Sequence, residues 1–422
     1  MTLGSWLRRK FARVSEKETS SGTQAAAVVN RRPVDAMSPA EANNDFALAL
    51  FEKLRTQRGN LFFSPFSVRT ALALVSAGAR GDTAAEMRES LRIPDTAAEA
   101  LHAELAALAE RIAAAGGDSA EMAIANGLFV QAGGHVEAPF REIVDRFHHG
   151  TFHDVDFRSA TEAARIAINR WVADRTRGRI DNLIPKGGVA SGTLLVVANA
   201  VYFKSVWAEP FSPFATSDQP FFLDGGGKVT MPLMKRLSDR VRYARSAGFE
   251  VAEIDYRGGE MSMLVLLPER KDGLPDLEAR LSAELLGECV GRLVPRLMEV
   301  CLPRFDLTWG EELQDVLRAM GLRRAFDRSR ADLSGINGLA PPHPDAFSIS
   351  DVLHKAFVNV GEKGTEAAAA TAIEAIAASC EMPGESSVPV FRADHPFLFA
   401  IRHRASGAFL FLGRVVDPTS QG

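Results

Sequence analysis

From Ser38 onward the apolar residues first recur at helical spacing and then, past Gly178, gather into short unbroken runs. Phe46, Leu50 and Leu54 repeat at i+4 ahead of Gly59, while Ser38-Pro39-Ala40-Glu41 supplies a cap, a first-turn proline and a capping-box glutamate. This predicts a helix. Ser64 or Ser67 starts the next, through VRTALALVS to Gly78, and Thr83-Ala84-Ala85-Glu86 reads as a second capping box. A further helix is expected from Thr161 to about Arg177, stopped by Gly178. The runs at 194–203, 261–267 and 298–302 then read as buried strands, and PFLFAIRHR and AFLFLGRVV flank Ala405-Ser406-Gly407 as a hairpin. Helices first and strands later predict an α+β fold.

One segment fits neither pattern. EAAAATAIEAIAAS from Glu366 is helical by propensity, yet it follows Gly364, lacks a continuous apolar stripe and runs out toward Pro383-Gly384, so a helix there would bury little. Just upstream, KAFVNVG alternates as a strand, with Ala356, Val358 and Val360 opposite Phe357 and Asn359. At period two, Thr365, Ala367, Ala369, Thr371, Ile373, Ala375 and Ala377 share one face, and Glu366 and Glu374 the other. A segment so built could be exposed in one state and become a sheet strand in another.

Composition narrows the function. With 422 residues, 46% hydrophobic and 24% charged, the chain can bury a large core. A net charge of -4 and a pI near 6.2 lack the basic excess of a nucleic-acid surface. Cys289, Cys301 and Cys380 show no CxxC spacing, which argues against a disulfide framework or a zinc site. No apolar run approaches the roughly 18 residues that would span a membrane. Arg8, Arg9 and Lys10 precede FARVSEKETSSGTQ rather than an apolar stretch, so no secretion signal is visible. Residues 1–36 are expected to form a disordered tail and 37–419 a single domain.

The Gly225–Gly227 cluster leads into Lys228-Val229, without the Ser or Thr of a phosphate-binding loop, and GxSxG, HExxH and GxGxxG are absent. His148, His149 and His153 read as surface histidines, not a ligand set. No metal or cofactor is expected, and no enzyme. Ala and Arg richness suggests a GC-rich, bacterial genome.

Gly361-Glu362-Lys363-Gly364-Thr365-Glu366-Ala367-Ala368-Ala369-Ala370-Thr371 resembles the proximal hinge of inhibitory serpins almost residue for residue. The resemblance extends through GNLFFSPFSVRTALALVSAGARGDT at 59, NAVYFKSVW at 199, MKRL at 234, ADLSGI at 331, VLHKAFV at 352 and HPFLFAIR at 395. It implies the serpin fold, with helices around a large central mixed sheet plus further sheets, and an exposed reactive-centre loop at about 362–394. It also implies a suicide-substrate inhibitor: a serine protease cleaves the loop, which inserts into the central sheet while the protease remains covalently attached.

Family spacing, counted from Glu362, places the scissile bond between Ala378 and Ser379; a shift of one residue would place it before Cys380. A small side chain at Ala378 suits elastase-like or subtilisin-like proteases. The segment 380–394 is longer than in familiar serpins. The hinge comprises Glu362, Gly364, Thr365, Glu366, Ala367, Ala368, Ala369, Ala370 and Thr371. Ser64, Ser67, Asn199 and His354 match a hydrogen-bonded shutter beneath the sheet, while Trp207, Arg304 and Glu362 match the breach at its top. Arg111 is the lone basic residue of the segment that binds heparin in some serpins, so no heparin site is expected. A monomer follows. The alternatives are a non-inhibitory binder or chaperone and an inhibitor of cysteine proteases. Location stays divided between extracellular, by resemblance, and cytoplasmic, by the missing signal.

Overall fold

The Glu41 amide donates to Ser38 Oγ at 3.2 Å and the Ser38 amide to the Glu41 carboxylate at 2.8 Å, forming the expected capping box. The structure, a computed structural model, describes residues 33–96, 98–116, 120–148, 152–365 and 388–420. The residues from Val34 onward cluster as one unit. The scissile positions Ala378 and Ser379, and the hinge positions from Glu366 to Thr371, lie outside the described residues, as do His149 and Cys380.

The chain begins with α1 (Pro39–Leu54), β1 (Leu61–Phe63), α2 (Pro65–Ala77), α3 (Gly81–Leu91), α4 (Ala98–Gly116), β2 (Ala120–Gln131), α5 (Ala138–Phe147), β3 (Phe152–Val155) and α6 (Thr161–Arg175). Strands then dominate: β4 (Leu195–Val206), β5 (Ser217–Phe222), β6 (Lys228–Ser238), β7 (Arg242–Ser246), β8 (Phe249–Asp255) and β9 (Met261–Pro268). After α7 (Leu274–Arg280) and α8 (Ala283–Gly291) come β10 (Val294–Pro295), β11 (Met298–Pro303), β12 (Phe305–Glu312), α9 (Gln314–Ala319) and α10 (Ser334–Asn337). The last strands are β13 (Asp351–Gly361), β14 (Gly364–Thr365), β15 (Val390–Arg392), β16 (Phe397–His403) and β17 (Phe409–Val415).

The second capping box does not form. α3 begins at Gly81, after an Arg80 that makes no side-chain cap bond. Thr83 Oγ1 instead accepts the Asp332 amide at 3.0 Å, and Glu86 accepts the amides of Arg323 and Arg324. Amides from a distant chain segment need acceptors, and these side chains supply them in preference to a local cap. His148 also departs from expectation: it is buried, with Nε2 2.9 Å from His102 Nδ1. His153 stacks on Phe129 and meets Trp171 edge-on. Cys289 and Cys301 are buried free thiols. Among the described residues no group of three or more His, Cys, Asp or Glu could hold a metal, and no helix is long and apolar enough to cross a membrane.

Three sheets organise the strands. The central one is six-stranded and mixed, in the order β12-β13-β14-β4-β2-β3; a seven-stranded sheet runs β1-β17-β16-β9-β8-β7-β10, and a four-stranded one β15-β11-β6-β5. The expected C-terminal hairpin is β16 and β17, and Phe62 stacks with Phe399 and Phe411 at its back. β4 is apolar on both sides because both are covered. Its odd-numbered residues, Leu195, Val197, Val201 and Phe203, join the main core with α1 to α4, whereas Val196, Ala198 and Ala200 pack with Ile168 and Val172 of α6.

Candidate functional site at the seam of the central sheet

β4 and β13 are the two middle strands of the central sheet, and they pair directly and in parallel from Asp351↔Val196 to Phe357↔Tyr202. Above that level they part. The chain turns at Glu362-Lys363 and comes back as β14, so that Thr365 pairs with both Val360 and Ser205, and Gly364 with both Gly361 and Val206. Gly364 is required there: its φ is +151°, and a Cβ would lie 2.1 Å from the Ser205 carbonyl oxygen. Thr365 is fully buried on the face it shares with Val360, and its hydroxyl lies 2.7 Å from Tyr256 Oη.

The rim above β14 is held mainly by backbone bonds. Trp207 donates its amide to the Lys363 carbonyl at 2.9 Å and its indole N–H to the Gly361 carbonyl at 2.9 Å, and the Phe211 amide donates to the Glu362 carbonyl at 2.8 Å. Trp207 is buried and stacks on Tyr256 with ring centroids 4.6 Å apart. The Glu362 carboxylate accepts from Arg304 and from Thr216 Oγ1. Burial pushes that carboxyl up, but the bonds from Arg304, its own backbone and Thr216 bring it below its usual value.

Halfway down the closed part of the seam, a polar row crosses the sheet. Register sets Asn126 opposite Asn199 and Asn199 beside His354, one residue from each of β2, β4 and β13. All three belong to the parity that faces the main core, where the start of α2 meets them. Ser64 caps α2; its amide donates to His354 Nε2 at 3.1 Å and its hydroxyl to the Leu410 carbonyl at 2.7 Å. Because Nε2 accepts, Nδ1 carries the proton and donates to Asn199 Oδ1. Asn199 Nδ2 donates to Ser67 Oγ at 2.6 Å and to Asn126 Oδ1, and Ser67 Oγ donates to Asn126 Oδ1 at 2.9 Å. Burial pushes the His354 pKa down to about 3, so the ring is neutral.

Ser64, Ser67, Asn199 and His354 thus form one cluster, and Trp207, Arg304 and Glu362 meet at the rim. Sequence reasoning missed Asn126, Tyr256 and Phe211. The signal for Asn126 was an amide set inside the apolar run MAIANGLFV; Tyr256 and Phe211 gave none.

The sequence model of the family described as Serpin (serine protease inhibitor) matches residues 41–418. The chain belongs to the serpin family. It is 40% identical over 386 residues to leukocyte elastase inhibitor of Sus scrofa, covering 89% of this chain and 98% of that protein. The Homo sapiens leukocyte elastase inhibitor is 38% identical at the same coverage. Serpin-Z1B of Triticum aestivum is 36% identical over 393 residues, covering 88% and 94%. The structure of uncleaved ovalbumin superposes with a TM-score of 0.82 at 30% identity, covering 90% of this chain and all of that one, and the fold described above is the serpin fold. These relatives are animal and plant proteins and lend no support to a bacterial source.

Proposed function

We propose that this protein inhibits serine proteases of the elastase-like or subtilisin-like kind as a suicide substrate, with Ala378-Ser379 as the cleaved bond. The observation that carries the reading is the wedge of Gly364 and Thr365 between strands that pair directly below it. Two residues of an additional strand are already in register, and extending that register would set Thr371 opposite both Asn199 and His354. Insertion to that depth separates β4 from β13 and breaks the Asn199–His354 bond. The Thr371 hydroxyl, a donor and an acceptor, then stands where each needs a partner. Ser64, Ser67, Asn126, Asn199 and His354 act in this reading as the catch of the seam, and Trp207, Arg304 and Glu362 as its entrance.

The chemistry belongs to the protease. Its serine oxygen replaces the Ser379 amide nitrogen on the Ala378 carbonyl carbon, and the amine leaves with the proton. Once that bond is cut, the segment from Glu366 is free to lengthen β14. Successive inserted residues gain ladder bonds alternately to β13 and β4, and small alanines on the core face avoid overpacking. Similarity to leukocyte elastase inhibitors and the small side chain at Ala378 together support the target class.

Incubation with an elastase-like serine protease is expected to yield a complex stable to denaturing electrophoresis, with mass spectrometry locating cleavage after Ala378. Cleavage and free turnover with every serine protease tested would instead favour a non-inhibitory role.

A further inference from the structure

Glu209, Arg236, Arg240 and Asp255 line a cavity of about 220 Å3 beside the rim, with Ala208 and the Gly258-Gly259 turn completing its wall. The two carboxylates are already engaged. Glu209 accepts from Ser238 Oγ and from Arg240 Nε, and Asp255 pairs with Arg242 and lies 3.7 Å from Arg404 Nη1. Arg236 is different. Its Nε and Nη1 are buried without any hydrogen-bond partner, while the flat of its guanidinium rests 4.7 Å from the centre of the Phe211 ring. Arg404, bonded to the Gly259 carbonyl at the cavity wall, also has a buried Nε without a hydrogen-bond partner.

A guanidinium stacked on a ring keeps its N–H donors at the edge, and leaving such donors unmet in a buried place is costly. Nε and Nη1 have almost no surface open to the cavity, so a small shift of the side chain is needed to bring this edge to the partner that fits it, a planar or tetrahedral oxyanion taken by paired N–H bonds. A cavity of 220 Å3 has room for one small ion and a few waters at about 30 Å3 each, but not for a polyanion. The Glu209 and Asp255 carboxylates further limit the negative charge it accepts.

We propose that this cavity binds a small oxyanion, of which inorganic phosphate is the test case, gripped by Arg236 and Arg240, and that occupancy steadies the hinge. The connection is a continuous stack. Phe211, under Arg236, meets Trp207 edge-on at 6.2 Å; Trp207 lies flat on Tyr256 at 4.6 Å; and Tyr256 Oη reaches Thr365 Oγ1 at 2.7 Å. The Phe211 amide also holds the Glu362 carbonyl. An anion that favours this arrangement of Arg236 stabilises the uncleaved state by linkage.

The test uses the full, uncleaved chain without protease, so its outcome is separate from that of the inhibition experiment. Phosphate is titrated against chloride at matched ionic strength and pH, following tryptophan fluorescence, heat of binding and the midpoint of thermal unfolding. The expected result is a saturable fluorescence change and a rise in the midpoint with phosphate alone, and at least tenfold weaker binding in Arg236→Gln. Acetate competing for the same transition supports a general oxyanion site; phosphate acting without competition from acetate supports a tetrahedral one. Equal responses to phosphate and chloride, or undiminished phosphate binding in Arg236→Gln, overturn the proposal. Should Arg236→Gln fail to fold, the exposed Arg240→Gln takes its place, and undiminished binding there overturns the grip by the pair.

Discussion

Near Thr365 the middle strands of the central sheet stand apart with two residues of backbone between them, whereas near His354 they pair directly and are tied together by side chains. The difference separates two costs. At the top, β14 already satisfies the ladder groups of both neighbours, so a lengthening strand meets amides and carbonyls as they come free. At the polar row, opening first exposes Asn199, His354, Ser67 and Asn126 inside a core, where each unmet donor or acceptor costs roughly 1–3 kcal/mol. In the proposed mechanism the top therefore sets whether insertion begins, and the row sets how readily it passes the middle.

The most severe way to break the top is Thr365→Arg. That position is fully buried against Tyr256, and an unpaired guanidinium there would cost several kcal/mol, on the order of what an uncompensated buried charge costs elsewhere. The strand can avoid this by staying out of the sheet, so the fold should survive. Denaturing electrophoresis is expected to show cleaved protein in place of covalent complex; a complex yield equal to wild type would refute the insertion mechanism.

Asn199→Ala breaks the lower end instead. It leaves the His354 Nδ1 proton without an acceptor and removes donors to Ser67 and Asn126. A loss of roughly 2–3 kcal/mol is expected in urea unfolding. Tolerance of the change without loss of stability would mean that the row is not what closes the seam.

A gentler perturbation of the same end is pH. The His354 pKa is pushed down to about 3 by burial, far below the value near 6.5 of an unfolded chain. The unfolded state thus takes the proton first. Stability from the neutral ring is complete above about pH 6.5 and falls as pH drops toward 3, by at most about 1.4 kcal/mol per pH unit. His102, pushed down to about 4 by burial, acts in the same direction, so the readout is a difference between proteins. Between pH 7 and pH 5, the advantage of wild type over His354→Gln should shrink by about 2 kcal/mol. A constant difference would mean that His354 takes up a proton as readily in the fold as in the unfolded chain.

Much of this seam was legible in the sequence because its parts obey local periodicity. Thr365 falls on the core face that its parity assigns, and the alternation of Ala356, Val358 and Val360 fixes the side of His354 as well. What local pattern cannot supply is the order of strands. Asn126 belongs with Asn199 only because β2 lies beside β4, and Tyr256 reaches Thr365 from just past the end of β8, a strand of another sheet. Parity also leaves open how wet a face is at each level. Extending the β14 register would set Glu366 beside exposed Lys204 and half-buried Asn359, an easy place for a charge, but Glu374 beside buried Val196 and half-buried Asp351. Burial, with the nearby Glu312, pushes the Asp351 carboxyl up to about 6, so in the inserted strand the two glutamates that looked alike in the sequence would face unlike surroundings.

The smallest effect is expected at the outer edge of the top. Arg304 is about half exposed, at 48%, while its partner Glu362 retains the bond from Thr216 and the backbone bonds around it. An ion pair with one member in solvent contributes about 0–1 kcal/mol and fades as salt rises. Arg304→Ala should therefore lower stability by less than about 1 kcal/mol, with the difference reduced in high salt, and leave the yield of covalent complex within about twofold of wild type. The reason is that Trp207 and Phe211 hold the turn through main-chain groups that this substitution does not touch. Loss of complex formation in Arg304→Ala would shift the hold on the hinge from backbone to charge, and the upper end of the seam would then resemble the lower one in depending on side chains.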